Sequence, residues 1–204
     1  MTPTSRMLAA SIGKTIIGTL TLSLESDAIL SREDLISKYL ASEVWFSRLP
    51  NASDITVGHL LNHTAGLPDH VHMDGVVEAI FEQGDHASFE PEDTIAYVLD
   101  TPPLFDVGSA WSYSDTGYLL LGLVIEAATQ RDVFELVDER IIKPLALDHT
   151  RPSASSRLTG LAVGYTVEPN PFSLPSRTMD TDGALLWNPR IEWTGGGFVS
   201  TSHD

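Results

Sequence analysis

The sequence contains no cysteine, which excludes disulfide frameworks, thiolate metal sites and cysteine nucleophiles. It is also poor in positive charge: 12 Lys and Arg stand against 28 Asp and Glu, for a net charge of -16. A nucleic acid or an anionic membrane surface needs cationic groups to displace its counterions, so neither is expected as a partner. Long apolar runs are missing as well. Residues 119–125 fall far short of the roughly 18 to 20 that a spanning helix needs. Residues 1–6 lack the charged and apolar regions of a secretory signal.

What is present fits a globular chain. The 204 residues are 42% apolar and 8% aromatic, enough for one core. No internal repeat, low-complexity tract or composition break divides them, so residues 1–204 read as one domain. Apolar spacing predicts helices over 11–25, 31–40, 57–63, 75–83, 91–100, 116–129 and 132–142. The 116–129 helix is apolar nearly all round and therefore central. Residues 150–190, rich in Pro, Ser, Thr and Gly, predict long loops with one hairpin. The first strong element begins near residue 7, with no strand ahead of it. Residues 195–204 read as a strand running into a helix cap whose helix does not follow, so both ends look cut.

Two short patterns could carry chemistry. In Ser11-Ile12-Gly13-Lys14 a serine stands at a helix N-terminus, where backbone N–H groups favour developing negative charge. Lys14, three residues on, projects from the same face and can reach the Ser11 hydroxyl. Such a pattern alone is more often a cap followed by a surface lysine. Gly13-Lys14-Thr15 also imitates the end of a phosphate-binding loop, but the required earlier glycine is replaced by Leu8. Tyr113-Ser114-Asp115 lies in a loop ahead of the central helix, where side chains are displayed from a rigid base.

These patterns belong to an ordered set. Leu30-Ser31-Arg32-Glu33-Asp34-Leu35-Ile36-Ser37-Lys38-Tyr39-Leu40 and Ile55-Thr56-Val57-Gly58-His59-Leu60-Leu61-Asn62-His63-Thr64-Ala65-Gly66-Leu67-Pro68 follow the first motif. Trp111-Ser112-Tyr113-Ser114-Asp115-Thr116-Gly117-Tyr118, Ile141-Ile142-Lys143-Pro144-Leu145 and Gly195-Gly196-Gly197-Phe198-Val199-Ser200-Thr201 come after it. Taken in this order, the chain closely resembles the serine β-lactamase-related family, which includes class C β-lactamases, D-alanyl-D-alanine carboxypeptidases, D-aminopeptidases and β-lactamase-type esterases.

The resemblance implies an α+β, β-lactamase/transpeptidase-like fold: a helical region on an antiparallel sheet, largely incomplete in this chain. It implies Ser11 as the catalytic nucleophile, Lys14 as its proton-handling partner, and Tyr113 as the group that activates serine or reprotonates the leaving group. The Ser11 N–H would form half of an oxyanion hole. The substrate would be a small-molecule ester or amide, turned over through an acyl-enzyme without cofactor or metal.

Two departures bear on this. The family usually has asparagine where Asp115 stands as a substrate-binding residue. An ionised Asp115 would keep Lys14 protonated and lacks the N–H donors that bind an amide carbonyl. Esters, or substrates with an ammonium group, are therefore favoured over β-lactams and peptides. The family's third motif, Lys- or His-Thr/Ser-Gly, is absent after residues 195–201, leaving one oxyanion donor unsupplied, a loss of about 2.7 to 4 kcal/mol. The 204 residues alone are thus expected to be poorly soluble and essentially inactive. The alternative is a non-catalytic penicillin-binding-like module for binding or assembly. His59 and His63, four apart, read as structural rather than metal-binding, Asp69-His70-Val71-His72 as a loop segment able to catch a metal only adventitiously, and Glu126 as a satisfied carboxylate.

Overall fold

A computed structural model describes residues 1–83, 90–170 and 174–204. Helix α1, Gly13–Ser26, buries Ile17, Leu20 and Leu24. Its two glycines and β-branched residues give it poor helical propensity, so this packing is what holds it. A 3-10 turn, Ala10–Ile12, leads directly into it. The other helices are α2 Ser37–Leu40, α3 Val57–Leu61, α4 Val76–Gln83, α5 Pro91–Ile95, α6 Asp115–Thr129, α7 Val133–Val137 and α8 Trp193–Gly196. As the apolar pattern predicts, α6 is central: Leu119, Leu120, Leu121, Val124 and Ile125 are wholly buried against α1, α3, α7 and Phe198. Among the described residues no helix is long and apolar enough to cross a membrane.

Three short strands form an antiparallel sheet in the order β1-β3-β2: β1 Met7–Leu8, β2 Arg151–Pro152 and β3 Phe198–Ser200. Leu8 pairs with Val199, and Val199 pairs in turn with Arg151. The middle strand is therefore the last one in the sequence. The Ala9 N–H donates to the Phe198 carbonyl at 2.8 Å, so β3 anchors the segment that carries Ser11.

Several elements differ from their sequence reading for identifiable reasons. A two-residue strand, β1, starts at Met7 and leads into α1; it is too short for alternation to show in the sequence. The helix expected over 31–40 forms only at α2. Ahead of it, Gly58 N–H donates to the Arg32 carbonyl and Val57 N–H to that of Asp34, which ties the segment to the start of α3. Asp34 itself accepts from Ser31 N–H, Lys38 and Tyr39. The expected 91–100 helix tightens after α5 into a 3-10 turn at Ala96–Val98. The expected strand near residue 195 begins only at Phe198, because Trp193–Gly196 is helical. Between β2 and residue 188, the described residues, 153–170 and 174–188, are loop, with isolated antiparallel bridges at Tyr165–Arg177 and Met179–Leu185.

Candidate active site

Ser11 sits in the turn between β1 and α1. Ala10, just before it, takes the left-handed φ of 46°, a conformation that costs a non-glycine residue on the order of 1 kcal/mol. Gly196 makes room for this turn: a methyl group there would come within 2.5 Å of the Ala10 carbonyl. The conformation that presents Ser11 is thus held by α8, some 185 residues downstream by numbering.

The Ser11 Oγ lies 2.6 Å from the Tyr113 hydroxyl and 3.4 Å from Lys14 Nζ. Lys14 is buried. Besides Ser11 it donates to Asp115 Oδ1 and to the Gly195 carbonyl, so all three donors of an ammonium group have acceptors. The Nζ also stands 5.0 Å from the Tyr113 ring centre and 5.2 Å from that of Tyr118, within range of cation–π attraction. The Tyr113 hydroxyl is 3.2 Å from Asp115 Oδ1. The four residues singled out by sequence therefore converge, with Asp115 in contact with both Lys14 and Tyr113.

The 63–70 segment locks the Tyr113 loop. The His63 ring stacks on Tyr113 at 4.5 Å and 31°, and its Nδ1 accepts from the Ser114 N–H. Burial, with Lys14 adding to it, lowers the pKa of His63 and favours the neutral ring that this acceptor role needs. Ser114 Oγ donates to the Pro68 carbonyl, and the His70 N–H donates to Thr116 Oγ1. His70 is buried, and its pKa is pushed down to about 4 mainly by that burial. Asp69 is buried as well, its pKa raised by desolvation and then by Asp115. His59, the other member of the spaced pair, closes the capping box of α3 with Thr56. Glu126 accepts the Val133 N–H at the start of α7. Among the described residues no group of three or more His, Asp or Glu is placed to hold a metal.

A cavity of about 330 Å³ opens beside Ser11 and Asp115. Its walls are mostly apolar, including Val71, Val77, Ile80, Phe81, Leu119 and Trp187. Phe81 and Trp187 meet edge to face at 6.0 Å. Its polar lining comprises Ser11, Asp115, His70 and Glu192; the Glu192 pKa is pushed up to about 7 by desolvation, with Asp115 adding to it and Lys14 opposing. Sequence reasoning passes over Glu192 and gives His63 and His70 no part in the site. No motif marks Glu192, and only the fold brings it to Ser11.

A serine between a lysine and a tyrosine, at the start of a buried helix and the mouth of an apolar cavity, defines a β-lactamase/transpeptidase-like protein. The chain belongs to the beta-lactamase family: the model of that description matches residues 1–204. It is 28% identical over 182 residues to penicillin-binding protein 4* of Bacillus subtilis, covering 85% of this chain and 38% of that protein. A putative D-alanyl-D-alanine carboxypeptidase of Escherichia coli O157:H7 is 31% identical over 134 residues, 62% of this chain and 29% of the relative. The solved D-stereospecific amidohydrolase of Streptomyces superposes with a TM-score of 0.79 at 29% identity, over 97% of this chain and 58% of that one. The chain thus spans well under two thirds of each of these proteins.

Proposed function

We propose that this protein is a serine hydrolase that forms an acyl-enzyme on Ser11 with a small ester or amide. The observation that carries this reading is the 2.6 Å contact between Ser11 Oγ and the Tyr113 hydroxyl, with Lys14 bonded to the same oxygen. As Ser11 attacks the carbonyl carbon, its proton passes to the Tyr113 oxygen, and the Tyr113 proton passes to Asp115 Oδ1, 3.2 Å away. Lys14 stays an ammonium and stabilises the charge developing on Ser11. When the tetrahedral intermediate collapses, Tyr113 protonates the leaving alkoxide or amine and recovers its own proton from Asp115. Water repeats the sequence to release the acid. The Ser11 N–H is the oxyanion donor this chain supplies.

Esters are the favoured substrates, because Asp115 offers no N–H to an amide carbonyl. The cavity walls fit an apolar acyl group. The test is intact-mass measurement on the full-length protein that contains this chain, after treatment with a fluorophosphonate and with a penicillin. A single adduct on the wild type that is lost in Ser11→Ala is expected. No adduct with either reagent would leave the non-catalytic reading standing, and an adduct that survives Ser11→Ala would move the nucleophile elsewhere.

A further inference from the structure

We infer that Glu192 is a cation anchor: it selects ligands that carry a primary ammonium beside an apolar group, as amino-acid esters and amides do. The inference rests on the reading of the Ser11 cavity as a substrate site and names the substrate class for it.

Glu192 lines that cavity together with Ser11. Its carboxyl lies next to Gly196, where an added methyl would come within 2.9 Å of Glu192 Oε2 and 2.5 Å of the Ala10 carbonyl. The carboxyl thus packs against the turn that presents the nucleophile. Among the described residues it has no hydrogen-bond partner of its own, whereas Asp115 is bonded to Lys14 and Tyr113 and Asp69 to Val71. Lys14, the cation acting on it, already has three acceptors. His70, which also lines the cavity, is neutral above a pKa of about 4. A carboxyl taken out of water without a hydrogen-bond partner favours a cation placed beside it. The ligand can supply that cation.

The protonation of Glu192 follows from the same surroundings. Burial and the Asp115 charge raise its pKa to about 7, Lys14 opposing. A ligand ammonium next to it favours the ionised form. Binding of such a ligand should therefore strengthen as pH rises through 7, and weaken again as the ligand amine, with a pKa of about 8, loses its proton.

Binding is best measured by calorimetry on the Ser11→Ala protein, which prevents turnover. The probes are phenylalanine amide, its N-acetyl derivative and 3-phenylpropanamide, which lacks the amine. At pH 7.5 phenylalanine amide should bind at least about tenfold tighter than either neutral probe, and the difference should shrink at pH 5.5. In Glu192→Gln the three should bind alike, with near-ultraviolet circular dichroism reporting that the fold is kept. Glu192→Asp, which keeps the charge, should retain the preference and its pH dependence. Equal binding of the three probes, absence of binding by all of them, or a preference that persists in Glu192→Gln would overturn the anchor. Should Glu192→Gln fail to fold, the pH dependence in the Ser11→Ala protein and in Glu192→Asp decides the matter. An amine preference in a protein that no acylating reagent labels would sink the hydrolase reading and leave the anchor intact. Acylation without the preference would do the reverse.

Discussion

Asp115 differs from the family's usual asparagine by one atom in kind, yet it touches both Lys14 and Tyr113, the proposed proton carriers beside Ser11. Asparagine in its place would offer Lys14 an uncharged acceptor and present an N–H toward the substrate. The carboxylate instead anchors the lysine and gives the Tyr113 proton a place to go. Asp115→Asn should slow ester acylation at least about a hundredfold, the lower end of the range lost when a general acid–base group is removed. The same change should raise the ratio of penicillin to ester acylation, because the new N–H can bind an amide carbonyl. Parallel rates with a nitrophenyl ester and a chromogenic β-lactam measure both effects. Unchanged rates with both would show that this residue neither relays the proton nor sets specificity.

Close approach of two helices is the feature on which the site depends at the level of elements. Gly122, inside α6, faces α8: a methyl there would come within 2.6 Å of Thr194 Oγ1 and of the Trp193 ring. Thr194 in turn donates to the Tyr118 carbonyl at 2.7 Å, and α8 continues into Gly195 and Gly196 beneath Lys14 and Ala10. Helical propensity alone predicts that Gly122→Ala stabilises by about 1 kcal/mol. Overpacking predicts a loss of about 1 to 3 kcal/mol instead, and both contacting groups are held in place. The expected result is a lower thermal midpoint together with slower acylation; a raised midpoint would mean that the α6–α8 contact is slack. Long apolar elements such as α1 and α6, and the Ser11, Lys14, Tyr113 and Asp115 set, are legible in the sequence because period and order carry them. The start of α2 is not, since the backbone of 32–34 bonds to 57–58 across the fold. Glu192 is not either, because what distinguishes it is burial beside Ser11, and no local pattern encodes that.

Across the whole molecule, two desolvated groups that line one cavity pull stability in opposite directions with pH. Glu192 is raised from 4.5 to about 7. Below pH 4.5 it is protonated whether the chain is folded or not. As pH climbs from 4.5 to 7, the unfolded chain gives up this proton first and stability falls. His70 is lowered from 6.5 to about 4. Its contribution is complete above pH 6.5 and is lost as pH falls toward 4, because the unfolded chain then binds a proton that the folded one resists. The two changes are similar in size and opposite in sign, so they nearly cancel between pH 4.5 and 6.5. Glu192→Gln should therefore make stability, relative to the wild type, rise with pH across this window. His70→Gln should make it fall. Urea unfolding of the three proteins at pH 5, 6 and 7 separates these slopes, with each difference taken against the wild type so that the remaining carboxylates drop out. Parallel pH profiles for all three would show that neither group is desolvated by the fold, and the cavity would then be wetter than its apolar walls imply.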